Sequence, residues 1–302
     1  MKAIQVRTPG GAHVLELVDV QRPEPREGEV LVRVEAVGVN FLDVYHRSGL
    51  YPMPLPLIPG SEGAGVIETT GERVAWATGP GAYAEYAAVP RDQLVPLPDA
   101  IDARTAAAAM LQGMTAHYLV TSAFALREGH VAVVHSAAGG VGGLLVQMAK
   151  QRGAHVIATA SPQKHAEAIG LGADEVFAYD EDWTKFAANV VYDGVGRDTF
   201  DRSLIALGDR GALVLYGQSS GKVPPFDPAR LAAKSASLTR PTLRHYIAKR
   251  EELLWRASEL FDAIGSGSLR LRIDRELPLG EAAEAHRLLE SRTTRGKLVL
   301  MV

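Results

Sequence analysis

The run Val131-Ala-Val-Val-His-Ser-Ala-Ala-Gly-Gly-Val-Gly142 carries the strongest chemical signal in the chain. Its apolar opening reads as a buried strand, its glycines as a tight turn, and Leu144, Leu145, Met148 and Ala149 as one face of a following helix. Such a unit suits a pyrophosphate. Gly139 lets the backbone approach the anion, Gly142 lets the helix pack closely on the strand, and the helix N-terminus offers free N–H groups. Ala137 stands where the first glycine of a Gly-x-Gly-x-x-Gly pattern usually sits, and a purely structural turn would also use these glycines. The strand-turn-helix context favours a dinucleotide.

The choice of dinucleotide is written about twenty residues further on, where NAD sites place an acid for the ribose hydroxyls. Here the chain reads Thr159-Ala-Ser-Pro-Gln-Lys164. With no carboxylate at Ala160 or Ser161 and a cation at Lys164, a 2′-phosphate is favoured and NADPH is the expected cofactor. The plainer alternative is that Lys164 only decorates a helical turn. No Ser-His-Asp arrangement or carboxylate pair is visible, and His46, His117, His135 and His165 lack metal-ligand spacing, so structural or solvated roles are expected for them. The absence of cysteine excludes disulfides, thiolate metal sites, iron-sulfur clusters and cysteine nucleophiles.

The elements that must position these residues follow from the texture of the chain. Residues 1–112 are rich in Val, Pro and Gly, with alternating runs at 29–37, 65–68 and 73–76 between turn clusters at 23–28 and 79–81, which predicts an irregular β domain. From Thr115 the pattern becomes apolar strand, helix, apolar strand, with strands expected at Val131–His135, His155–Thr159, 175–178, 190–193 and 212–216. The fold class is therefore α/β, a doubly wound parallel sheet beside a β domain. A long helix is expected over 243–264 and short strands at 269–273 and 298–302; with no helix left to cross over, these last strands should return to the first β domain.

A formal net charge of −3 gives no long-range field that would gather nucleic acid or anionic membrane. The weakly polar stretch 131–149 is broken by His135, Ser136 and glycines, which reads as strand and helix rather than a membrane span. The chain opens on alternating Lys2, Ala3, Ile4 and Gln5 with no signal-peptide pattern, so a cytoplasmic location is expected. Asparagine occurs only at Asn40 and Asn189, and 24 arginines face 8 lysines; this hints at a thermophilic source, although codon usage would give the same arginine bias.

The segment Gly38-Val-Asn-Phe-Leu-Asp-Val-Tyr-His-Arg-Ser-Gly-Leu-Tyr51, followed by Pro59-Gly-Ser-Glu-Gly-Ala-Gly65, resembles the zeta-crystallin-type NADPH:quinone oxidoreductases of the medium-chain dehydrogenase/reductase superfamily. Gly113-Met-Thr115, Ala138-Gly-Gly-Val-Gly142, Tyr192-Asp-Gly-Val-Gly196, Tyr216-Gly-Gln-Ser219 and Thr239-Arg-Pro241 extend the resemblance over nearly the whole chain, in the family's order. It implies a GroES-like catalytic domain of residues 1–113 and 240–302, and a Rossmann NADPH-binding domain of residues 114–239 inserted between them. The resemblance implies cofactor contacts at Phe41, Leu42, Asp43, Val44, Tyr45, Thr115, Gly140, Val141, Ala160, Ser161, Lys164, Tyr179, Gly194, Tyr216, Gly217, Gln218, Ser219, Leu238, Thr239, Arg240, Pro241 and Arg292. Among them Lys164, Tyr179 and Arg292 would surround the 2′-phosphate. Asn40, Tyr45 and Tyr51 fall where the family places nicotinamide and substrate, and an amide with two phenols suits a planar carbonyl compound.

Zinc-dependent alcohol dehydrogenases share this architecture, but their catalytic metal needs a Cys near the position of Asn40 and a His where this chain has Ser61, and the four-cysteine structural lobe has no counterpart. The expected reaction is hydride transfer from NADPH to a quinone, without a metal. NADPH-dependent reduction of an alkenal or enone double bond is the second enzyme reading. A non-catalytic NADPH-binding or structural protein is the third. The segment Ser235-Ala-Ser-Leu-Thr-Arg-Pro241 reads as the last strand of the nucleotide sheet, and the resemblance implies that it pairs with its copy in a homodimer.

Overall fold

The structure, a computed structural model, describes residues 1–79 and 81–302; Pro80, in the expected turn at 79–81, lies outside the described residues. The chain forms two units, one of residues 1–114 with 247–302 and the other of residues 115–246. Strands β1 (Lys2–Gln5), β2 (Glu16–Asp19) and β3 (Glu29–Val39) lead into helix α1 (Phe41–Ser48). Strands β4 (Glu62–Ile67), β5 (Arg73–Ala77), β6 (Tyr86–Pro90) and β7 (Val95–Pro96) follow, and then helix α2 (Ala103–Tyr118). The reading of the first 112 residues as β structure omits both helices. Helix α1 begins where the carboxylate of Asp43 accepts the Asn40 backbone N–H at 2.9 Å, a capping contact that fixes the helix start.

The second unit then runs through β8 (Val131–His135), α3 (Gly140–Gln151), β9 (His155–Thr159), α4 (His165–Gly170), β10 (Glu175–Phe177), β11 (Ala188–Asp193), α5 (Phe200–Ala206), β12 (Leu207–Leu215), β13 (Ser237–Thr239) and α6 (Leu243–Tyr246). All six strands are parallel, in the order β10-β9-β8-β11-β12-β13. Numbered from the first, this is the 3-2-1-4-5-6 order of a dinucleotide-binding sheet. Helices cover both faces of such a sheet, which is why Val133, Val134, Val190 and Val191 are fully buried although they point alternately up and down.

The chain returns to the first unit through α7 (Arg250–Gly265), β14 (Ile273–Pro278), α8 (Ala282–Glu290) and β15 (Lys297–Met301). The main sheet of that unit has seven strands, running β14-β15-β3-β4-β5-β7 with β6 also on β3. The C-terminal strand does rejoin the first domain: β15 pairs antiparallel with β3, Leu298 opposite Val39 and Leu300 opposite Val37. Val32, Val34, Trp76, Leu298 and Leu300 form its core.

Two expectations differ from the structure. The helix predicted over 243–264 is broken at 247–249, and its first turn is held in the second unit, where Tyr246 stacks on Tyr118 with ring centroids 4.2 Å apart. Residues 269–272 are not a strand. Their alternation misleads because the backbone here closes the end of α7: Ser266, Gly267 and Leu269 donate to the carbonyls of Asp262, Ile264 and Ala263.

Candidate active site

In the second unit the parallel strands bring their carboxyl ends to one edge, and the expected cofactor residues of this unit, Thr115 in α2 excepted, fall there. Gly139 to Gly142 follow β8, Ala160 to Lys164 follow β9, Tyr179 follows β10, Gly194 follows β11, Tyr216 to Ser219 follow β12, and Leu238 to Pro241 end β13 and leave it. Gly139 is the N-cap of the twelve-residue α3, whose first turn contains no acid. Gly142 is required by packing, since a Cβ there would stand 2.1 Å from the Ser136 carbonyl oxygen. Tyr179 braces the same turn: its phenol oxygen accepts the Ser136 backbone N–H at 3.1 Å and lies 3.0 Å from the Ser136 hydroxyl. A helix N-terminus free of acids, with Ala160 and Ser161 at the end of β9, fits a dinucleotide carrying a 2′-phosphate.

A buried polar relay, invisible in the sequence, ties this edge together. Asp193 accepts hydrogen bonds from the backbone of Val195 at 2.8 Å and Gly196 at 2.9 Å, and from the hydroxyls of Thr199 and Ser203 at 2.8 Å each. Ser203 Oγ, having donated to Asp193, accepts from His135 Nε2 at 2.9 Å, so His135 Nδ1 accepts from the Thr159 hydroxyl at 2.7 Å. Burial lowers the pKa of His135 and keeps the ring neutral, and Trp183 packs against it edge-on at 4.7 Å. His, Ser and Asp therefore meet here, but fully buried and with serine in the middle. That arrangement fixes loops and exposes no nucleophile.

The first unit holds a second network. Asn40 stands at its centre: its side-chain nitrogen donates to Glu62 Oε1 at 2.8 Å and to the Gly38 carbonyl at 3.2 Å, and its oxygen accepts from Lys297 Nζ at 2.7 Å. Lys297 is also ion-paired with Glu62, and both side chains are almost completely buried. Burial pulls the Lys297 pKa down while the Glu62 carboxylate opposes that pull. Glu62 Oε2 accepts the Leu111 backbone N–H at 2.6 Å. Gly38 has to be glycine, because a Cβ would lie 2.1 Å from Glu62 Oε1 and 2.2 Å from the Ala107 carbonyl oxygen.

The carboxylate of Asp43 gathers the rest of the network. Ser61 donates to it at 2.6 Å and Tyr83 at 3.3 Å, in addition to the Asn40 backbone. His286 Nε2 stands 3.1 Å from the Tyr83 oxygen, Arg47 Nη1 stands 3.4 Å from His286 Nδ1, and Arg47 forms a two-pronged ion pair with Glu290 at 2.8 and 2.9 Å. Arg47 can only donate, which assigns the Nε2–H tautomer to His286 and points the donors along the chain toward Asp43. Burial pushes the Asp43 pKa up to about 6 against the hydrogen bonds that hold it down, and burial with the Arg47 charge takes His286 down to about 3. Burial and the facing Asp43 raise the Tyr83 phenol well above its ordinary range.

The structure thus brings Asn40 and Asp43 together but turns both side chains inward. Tyr45 and Tyr51 meet edge to face, ring centroids 5.2 Å apart, with Phe41 6.2 Å from Tyr45. Thr115 opens the second unit within α2, and Arg292 follows α8 in the first unit at φ 59°. The sequence reading missed Glu62, Tyr83, His286 and Lys297; the one available signal was a lysine heading the apolar run Leu298-Val-Leu-Met301. Among the described residues, no group of three or more His, Cys, Asp or Glu is placed to hold a metal ion, and no helix is long and apolar enough to cross a membrane.

Residues 26–99 match the alcohol dehydrogenase GroES-like domain and residues 171–300 match the zinc-binding dehydrogenase family. A quinone oxidoreductase of Pseudomonas aeruginosa is 43% identical, over 99% of this chain and 99% of its own. The structure of Escherichia coli quinone oxidoreductase complexed with NADPH covers all of both chains with a TM-score of 0.97 and 38% identity. A 2-haloacrylate reductase from a Burkholderia species is 36% identical over 99% of this chain and 98% of its own.

Proposed function

The chain belongs to the quinone oxidoreductases of the medium-chain dehydrogenase/reductase superfamily, and from that premise we propose that it reduces quinones with NADPH and without a metal. The observation that carries this reading is the carboxyl edge of the second unit, with an acid-free helix N-terminus after β8 and Ala160 and Ser161 in place of an acid after β9. When bound, NADPH supplies the hydride and the two electrons. The backbone from Gly139 to Gly142 holds the pyrophosphate, Lys164 and Tyr179 recognise the 2′-phosphate, and the relay through Asp193 and His135 keeps the surrounding loops in place. Tyr45 and Tyr51 offer aromatic faces and phenols to a planar carbonyl compound. The Lys297 ammonium, within hydrogen-bonding reach of Asn40 and Glu62, sets a fixed positive charge beside the positions where metal-dependent relatives need ligands, and it opposes a divalent cation there.

The likeness to a 2-haloacrylate reductase favours a second reading, reduction of an activated carbon-carbon double bond by the same cofactor. Turnover of a quinone panel and an enone panel, each with NADPH and with NADH, separates the two. Quinone turnover preferring NADPH is expected, and turnover of enones alone overturns the first reading. Within the family we place the chain with the zeta-crystallin type, acting as a cytoplasmic homodimer through β13, the last strand of the parallel sheet. Its two asparagines and absence of cysteine support a source that grows hot.

A further inference from the structure

Asn40 is the amide that sequence reasoning assigns to the substrate, yet its carboxamide is engaged on both sides by Lys297, Glu62 and Gly38. A second carboxamide stands one residue along the chain from that cluster. Gln112 follows Leu111, whose backbone N–H is bonded to Glu62, and Gln112 is only 9% exposed. Its Oε1 is buried, and no group among the described residues donates to it. A buried acceptor without a donor weighs against folding, whereas a Met or Leu at the same helical position would bury cleanly and keep α2 intact. A carboxamide held in that condition is suited to a donor that arrives with a ligand.

We propose that Gln112 Oε1 accepts a hydrogen bond from the hydroxyl of the hydroquinone, so that Gln112 is the amide that reads the substrate and Asn40 is the strut that holds α1 and β4 beside it. The proposal rests on the quinone reductase reading. Two-electron reduction adds one hydride and one proton to a quinone, which itself carries only acceptors, and leaves O–H donors on the product. An acceptor near the reacting oxygens therefore strengthens its contact as the reaction proceeds, which is the direction that assists turnover.

The test compares the wild-type protein with Gln112→Met and Gln112→Leu in three measurements: thermal unfolding without ligand, NADPH affinity, and product inhibition by 1,4-naphthohydroquinone of anaerobic 1,4-naphthoquinone reduction. The expected result is a raised Tm in both variants, an unchanged NADPH Kd, and inhibition weakened about tenfold, the value of one hydrogen bond. The unchanged NADPH Kd also shows that the variants are folded. Unchanged inhibition in both variants overturns the proposal. So does a lowered Tm in both, which would reveal a partner for the oxygen in the free fold. Absence of naphthoquinone turnover and of naphthohydroquinone binding in the wild-type protein overturns the quinone reading itself, and the proposal with it.

Discussion

The buried pair Asp43 and His286, joined through Tyr83, should set two opposed pH dependences in the first unit. The two groups act in opposite senses. Asp43 rises from 3.8 in the unfolded chain to about 6, so between those values the folded state binds the extra proton and stability from this group increases as pH falls. His286 falls from 6.5 to about 3, so across that range the unfolded state binds the extra proton and stability is lost as pH falls. At about 1.4 kcal/mol per pH unit, acidification from pH 6.5 to 4 costs about 3 kcal/mol through His286 and returns about 2 kcal/mol through Asp43. These two groups therefore largely offset one another in the wild-type protein. Asp43→Asn keeps the shape and the acceptor for Asn40 but removes the compensating group, so the variant should lose about 2 kcal/mol more than the wild type over this interval. His286→Gln should show the converse, gaining relative to the wild type as pH falls. Urea unfolding at half-unit steps, followed by near-ultraviolet circular dichroism, measures both. Stability curves for wild type and Asp43→Asn that stay parallel from pH 6.5 to 4 would refute the assignment of a raised pKa to Asp43.

Other outcomes follow from the same geometry. Lys297→Met leaves the Glu62 carboxylate buried without its cation and should destabilise the protein by about 3–5 kcal/mol, while adding Glu62→Gln should recover most of the loss in urea unfolding; equal stability of the single variant and the wild type would mean that the pair carries no charge. Lys164→Ala should weaken NADPH by about 1–2 kcal/mol and leave NADH nearly untouched when both are titrated, and equal losses for the two cofactors would remove Lys164 from the 2′-phosphate. Quinone turnover should survive exhaustive chelation, and a stoichiometric zinc ion whose removal abolishes turnover would contradict the metal-free reading. Sedimentation at micromolar concentration should give a dimer, and Leu238→Pro should shift it toward monomer by removing a donor from the edge of β13; a dimer indifferent to that change would place the interface elsewhere.

The parts of this molecule that were legible in the sequence are those written in local patterns. Val131–His135 and His155–Thr159 stand as strands where apolar runs and glycine punctuation put them, because a parallel sheet covered on both faces demands continuous apolar segments. The networks were not legible, because they join residues that only tertiary register brings together. Asn40 and Lys297 are separated by 257 positions and meet because β15 pairs antiparallel with β3, Leu298 opposite Val39, which carries Lys297 to the level of Asn40. A lysine at the head of a strand whose next three residues are fully buried needs an anionic partner, since a buried ammonium alone is expensive. The partner was hidden in Gly60-Ser61-Glu62, a segment that carried the family resemblance and the missing histidine but gave no sign of a buried charge. The residues at those positions are held by an ammonium and by Asp43, and an ammonium cannot polarise a substrate oxygen as a Lewis acid. Of the two carboxamides, the one whose oxygen meets no donor among the described residues is Gln112 rather than Asn40.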